Sequence, residues 1–150
     1  MKNIKIIAEI GWNHMGDMNL AQEMIRSAAI NGADYCKFQT WSEKNLKKGP
    51  WDTDGRREIY KKAELSEKDH LYLIDTCKKY KINFLTSVFD TKSLQMVYDL
   101  GVSEIKIPSH EIYNSDLIKL ACKNFDKIFI SAGAATWDEI INLKNLIDNN

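Results

Sequence analysis

Three charged side chains stand where apolar ones are expected. Ile7-Ala8-Glu9-Ile10-Gly11, Tyr35-Cys36-Lys37-Phe38-Gln39 and Ile105-Lys106-Ile107-Pro108 each read as a buried strand broken by one charge near its carboxyl end. Strands of a parallel sheet are covered on both faces and read as near-continuous apolar runs. Isolating a charge from water is costly unless it is paired. One such lysine is most simply a long side chain reaching back to solvent. Three charges at the same place along three strands point instead to a shared polar site. Ser87, Ser109 and Ser131 fall at or just after strands. With Lys37 and Lys106 they supply the charge and hydrogen-bond donors that suit a phosphate or a carboxylate. Taken singly, each serine reads as a cap or turn residue.

Other chemistry finds less support. Gly11-Trp12-Asn13-His14-Met15-Gly16 has the glycine spacing of a P-loop but continues Asp17-Met18, not Lys-Ser/Thr, which excludes that nucleotide cradle. No G-x-G-x-x-G follows a strand, so dinucleotide binding is unsupported. His14, His70 and His110 show no H-E-x-x-H pattern. His14 and His110 lie in strand–helix loops, where a shared metal site competes with the plainer reading as ordinary polar loop residues.

Positioning these residues requires alternating strands and helices. The apolar pattern predicts strands over 4–10, 33–39, 82–88, 103–107 and 127–131, and helices over 18–31, 66–80, 91–100, 115–124 and 136–148. Leu20, Met24, Ile25 and Ala28 fall on one helical face. Thr136 with Glu139, and Ser66 with Asp69, have capping-box spacing. Asp90 and Ser115 are further N-cap candidates. Gly32 and Gly101 follow helices and precede strands, where the left-handed conformation ends a helix. Repetition of this unit implies an α/β fold with a parallel sheet.

The second unit is longest. Its extra residues, Trp41 to Glu64, contain Lys47-Lys48-Gly49-Pro50-Trp51 and Asp54-Gly55-Arg56-Arg57. They follow a strand and precede a helix, on the side where α/β folds bind ligands. A tolerated surface loop is the plainer alternative, but Trp41 and Trp51 argue for function. A complete eight-stranded barrel needs about 200–250 residues. A five-stranded doubly wound sheet fits in 150 residues, and periodicity does not choose between them.

At 150 residues the chain is expected to form one domain. Its 21 Lys+Arg balance 21 Asp+Glu, leaving no single-sign field to hold nucleic acid or a membrane surface. No apolar run is long enough to cross a bilayer, and the charged opening Met1 to Glu9 reads as a first strand, not a secretory signal. Cys36, Cys77 and Cys122 are odd in number and widely spaced, the pattern of reduced thiols in a cytoplasmic protein.

Four stretches carry a more specific likeness: Ala8-Glu9-Ile10-Gly11-Trp12-Asn13-His14-Met15-Gly16-Asp17, Gly32-Ala33-Asp34-Tyr35-Cys36-Lys37-Phe38-Gln39-Thr40, Ile105-Lys106-Ile107-Pro108-Ser109-His110-Glu111 and Ser131-Ala132-Gly133-Ala134-Ala135-Thr136. In order and spacing the chain resembles the sialic acid synthase family, enzymes that condense phosphoenolpyruvate with an N-acylated sugar. The resemblance implies a partial TIM-type (β/α) barrel. Residues 1–150 would be its first five βα units, the amino-terminal portion, without the remaining strands or the small antifreeze-like domain of family members. It implies phosphoenolpyruvate contacts from Lys37, Ser87, Lys106, Ser109 and Ser131, and carboxylates facing the sugar and the reacting centre from Glu9 and Glu111. The family's divalent cation, Mn²⁺ or Mg²⁺, polarises the sugar aldehyde, and its histidine ligands come from later strands, outside this chain. The partners implied are phosphoenolpyruvate, an N-acylated hexosamine-type sugar and a second copy in a homo-oligomer. This 150-residue chain alone is expected to be inactive.

Three departures bear on the sugar. His110 stands where the family has a small residue, Ser131-Ala132-Gly133-Ala134 replaces Ser-Thr-Gly-Met, and Ser87-Val88-Phe89 replaces Thr-Pro-Phe. The long loop with Trp51 and Tyr60 resembles that of synthases for other nine-carbon sugars. Two alternatives stay open: a phosphoenolpyruvate-dependent sugar-phosphate synthase, for which Arg56 and Arg57 are the candidate second-phosphate ligands, and a non-catalytic half-barrel that binds a partner chain.

Overall fold

A computed structural model describes residues 4–46, 48–133 and 135–149. Met1 to Asn3 of the opening run, Lys47 of the insertion, Ala134 of the last motif and Asn150 lie outside the described residues. The elements are β1 (Ile7–Gly11), α1 (Met18–Ile30), β2 (Tyr35–Thr40), α2 (Arg56–Ala63), α3 (Glu67–Tyr80), β3 (Asn83–Val88), α4 (Thr91–Asp99), β4 (Glu104–Ile107), α5 (Ser115–Asn124), β5 (Lys127–Ile130) and α6 (Trp137–Asp148). Short 3₁₀ turns occupy Glu43–Asn45, Pro50–Asp52 and Ser109–Glu111.

The strands form one sheet in the order β1-β2-β3-β4-β5, with β1–β2, β3–β4 and β4–β5 paired in parallel. A doubly wound sheet reverses its strand order at a switch point. This order never reverses, so each βα unit adds its strand beside the last, as in a (β/α) barrel. The chain divides into two compact units, Met1–Leu85 and Thr86–Asn150.

The first unit packs Ala21 and Ile25 of α1 and Leu73 and Cys77 of α3 against Cys36 and Phe38 of β2. Its strand starts are tied through Asp34, whose carboxylate accepts from the Ile6 amide at 2.8 Å and from Lys5 at 2.7 Å. The Asp34 carbonyl accepts from the Asn83 amide at 3.0 Å, which joins the start of β3 to the start of β2. In the second unit, Ile105 and Ile107 of β4 pack on Leu94 and Val97 of α4 and on Leu117, Ile118 and Ala121 of α5.

Most expected elements appear within a few residues of their predicted bounds, and Gly32 and Gly101 take positive φ of 84° and 77°. Both capping boxes form, at Ser66 with Asp69 and at Thr136 with Glu139. Asp90 caps α4 through the Ser93 amide. Three details differ. Asn114, not Ser115, caps α5, because its side chain reaches the Leu117 amide. The buried stripe of α1 runs through Ala21 and Ile25, with Met24 and Ala28 packed against it, and leaves Leu20 40% exposed. The insertion is partly helical: α2 carries five charges in Arg-Arg-Glu-Ile-Tyr-Lys-Lys-Ala and no capping side chain, so neither periodicity nor a cap announces it.

Truncating Ile105, which is fully buried, to Ala should cost about 2–5 kcal/mol. Leu20→Ala should change stability by less than about 0.5 kcal/mol. Urea midpoints of the two variants check this, and equal losses would contradict the packing described.

Candidate functional site

In the first unit the candidate charges meet directly. Parallel pairing sets Glu9 opposite Lys37 in register, and the two side chains form an ion pair. Alternation explains the placement of Lys37. Cys36 and Phe38 point to the helix-facing core, so Lys37 between them must point to the other face. Only 7% exposed, its ammonium needs the opposing carboxylate to offset lost hydration. A β-bulge between Glu9 and Gly11 interrupts the ladder there.

The loop after β1 and the insertion after β2 pack together. Tyr60 of α2 makes edge-on contacts with Trp12 at 5.8 Å and with Trp41 at 5.9 Å between ring centroids. Gly16, at φ +80°, is pressed so close that a Cβ there would lie 2.2 Å from the Lys62 carbonyl oxygen, so no other residue fits. Arg57 pairs with Glu43 and Asp52, and Arg56 with Asp54. The described residues of the expected loop therefore form a packed lobe, and the two arginines offered as a second-phosphate pocket already hold carboxylates.

Two buried histidines support this end of the unit. The His70 Nδ1–H donates to the Ser66 carbonyl at 2.8 Å, so its bare Nε2 accepts from the Thr40 hydroxyl at 2.7 Å. That bond ties the last residue of β2 to α3. His14 Nδ1 accepts from the Gly16 amide at 3.1 Å. Its Nε2 then carries the proton and has no hydrogen-bond partner among the described residues. His14 thus organises its own loop, with its bare nitrogen already used.

In the second unit three strand ends contribute. Ser87 of β3 lies in register with Lys106 of β4. The Lys106 ammonium donates to the Ser131 hydroxyl, just after β5, and to the Ile107 carbonyl at 3.3 Å. Ile105 and Ile107 face the helices, which turns Lys106 to the opposite face. Glu111 is steadied by Asn114, whose amide donates to it at 3.0 Å. Ser109 opens the turn that carries Glu111.

The described residues do not fit a resident metal. No three His, Cys, Asp or Glu side chains among them are grouped to hold one, Glu9 is engaged by Lys37, and Glu111 by Asn114. The cysteines are free. Contact with Cys36, followed by burial, pushes the Cys77 thiol far up, which makes it inert as a nucleophile. The residues that sequence reasoning passed over are Thr40 and Phe89. Each directly ends or follows a strand, the position that flagged the serines.

Five sequential βα units in a parallel sheet whose strand order never reverses define a portion of a TIM-type (β/α) barrel. The chain belongs to the NeuB family, whose model matches residues 24–150. It is 39% identical to the N,N'-diacetyllegionaminic acid synthase of Campylobacter jejuni, over 100% of this chain and 48% of that protein. It is 33% identical to the pseudaminic acid synthase of Helicobacter pylori, over 91% of this chain and 43% of that protein. The crystal structure of an N-acetylneuraminic acid synthetase from Leptospira borgpetersenii, in complex with citrate, superposes with a TM-score of 0.89 at 32% identity, covering 99% of this chain and 51% of that one. The chain spans about half the length of the curated relatives it matches.

Burial lowers the pKa of both His14 and His70 below the ordinary imidazole value of 6.5, against smaller opposing effects of the Ser66 carbonyl bond at His70 and of Asp69 at both. The unfolded chain therefore takes up these protons first as pH falls. Stability should be full above pH 6.5 and be lost below it, before carboxylates titrate. Urea midpoints on either side of that pH check this. His70→Gln should flatten the slope, and an unchanged slope in the variant would remove His70 from the account.

Proposed function

We propose that this chain is the phosphoenolpyruvate-handling portion of a synthase that condenses phosphoenolpyruvate with an N-acylated hexosamine-type sugar, giving a nine-carbon 2-keto-3-deoxy sugar acid and phosphate. The observation that supports it best is the Lys106–Ser131 pair with Ser87 in register alongside. A lysine, two hydroxyls and nearby backbone at strand ends are what a phosphate or carboxylate needs. Membership of a family whose named relatives make sugar acids supports the reaction class.

In this reading Lys106, Ser87, Ser109 and Ser131 orient the phosphate and carboxylate of phosphoenolpyruvate, and the family resemblance assigns Lys37 a further anion contact. Carbon 3 of phosphoenolpyruvate attacks the aldehyde carbon of the open-chain sugar. Water adds at carbon 2, and phosphate leaves with cleavage of the C–O bond. Glu111 takes the proton from the attacking water or hands one to the sugar alkoxide, while Glu9 faces the sugar. The divalent cation expected from the family reading, Mn²⁺ or Mg²⁺, would draw its ligands from residues outside this chain. A cytoplasmic homo-oligomer completes the proposal, and among the described residues no helix is long and apolar enough to cross a membrane.

The test uses the full-length protein. Lys106→Met keeps the apolar stem and removes the charge. Loss of a charge-assisted contact should weaken phosphoenolpyruvate binding by about 1.5–3 kcal/mol. The melting temperature without ligand should hold, since a partly buried charge is removed. Titration and melting of both proteins decide it: unchanged binding, or a much lower melting point, would make Lys106 a structural residue.

A further inference from the structure

The anion chemistry leaves His110 unused. It lies between Ser109 and Glu111 in the turn after β4, its side chain 61% exposed beside a Glu111 side chain that is 17% exposed. The imidazole is not loose. It lies against the Phe89 ring, with centroids 5.3 Å apart and planes tilted by 34°. Phe89 directly follows β3, so the imidazole is braced at the carboxyl end of a neighbouring strand.

His110 Nε2 stands 3.9 Å from Glu111 Oε1, beyond direct hydrogen-bond distance. The other oxygen, Oε2, already accepts from the Asn114 amide at 3.0 Å, which sets the rotation of the carboxylate and leaves Oε1 beside the imidazole. An oxygen about 2.8 Å from both atoms would see them about 90° apart, about 20° short of the tetrahedral angle, a bend that one hydroxyl can take while donating and accepting at once. A neutral hydroxyl can give its proton to Oε1 and accept from Nε2–H. An ionised phosphate or carboxylate oxygen has no proton to give and would be repelled by Glu111. The pair therefore selects a sugar hydroxyl over an anion.

We infer that His110 and Glu111 together grip one hydroxyl of the acceptor sugar, with Phe89 bracing the imidazole, which makes His110 a specificity-determining residue for the acceptor and not for phosphoenolpyruvate. This rests on the synthase reading above.

The experiment measures phosphate release by the full-length protein from phosphoenolpyruvate with N-acetylmannosamine, N-acetylglucosamine and their 4-acetamido-6-deoxy derivatives. The best acceptor is then compared with its monodeoxy analogues, using wild type, His110→Ala and His110→Gln. His110→Ala should raise the acceptor KM about tenfold, leave the phosphoenolpyruvate KM and the melting temperature unchanged, and make no difference for the one analogue that lacks the gripped hydroxyl. His110→Gln, which keeps a donor, should recover part of the loss. Turnover with an unchanged acceptor KM in His110→Ala, an equal rise in the phosphoenolpyruvate KM, or equal losses on every analogue would overturn the inference and leave the synthase reading standing. No phosphate release by wild type with any acceptor would overturn both.

Discussion

A lysine ammonium withdrawn from water must recover its hydration from a counter-charge or from acceptors, and the strand ends of this protein are built around that requirement. Lys37 recovers it from Glu9, its in-register neighbour on β1. Lys106 is bonded to the Ser131 hydroxyl and the Ile107 carbonyl. Both lysines are held out of the cores by the two-residue alternation of a strand: Cys36 and Phe38, like Ile105 and Ile107, face helices. The apolar packing that stabilises each unit is thus also what aims its charge.

The two units meet the requirement differently, which separates their chemistry. In the first, a carboxylate already neutralises the lysine, and aromatic rings and Gly16 dock the insertion on the β1–α1 loop. Arg56 and Arg57 are consumed in holding that lobe together. This weakens the sugar-phosphate alternative, which needs them for a ligand. In the second, the lysine donates to the Ser131 hydroxyl, and the Asn114 amide donates to Glu111.

Much of this was legible in the residues. Glu9, Lys37 and Lys106 betrayed themselves by breaking apolar runs, since a charge in a buried strand needs a reason. The capping boxes at Ser66 and Thr136 were legible because their partners lie three residues away. Residues whose role depends on distant partners were not. Thr40 and His70 are 30 positions apart, and Phe89 matters here because His110 lies against its ring. The helix α2 was hidden for the same reason, since what the pattern lacks is supplied by Tyr60 packing between Trp12 and Trp41.

What the sequence determined by itself was the local part: five βα units, the caps at Ser66, Asp90 and Thr136, and the strand positions at which a charge interrupts an apolar face. Period and spacing decide these, because the interactions involved run along the chain. Only the tertiary structure decided the strand order, and with it barrel-type winding over a doubly wound sheet. It also decided that Lys37 is paired and that Arg56 and Arg57 are occupied. These outcomes depend on which strand or turn arrives beside which. Hydrogen bonds and ion pairs reach only about 3–4 Å, and residues far apart in the chain come within that reach only when the cores bring their strands together.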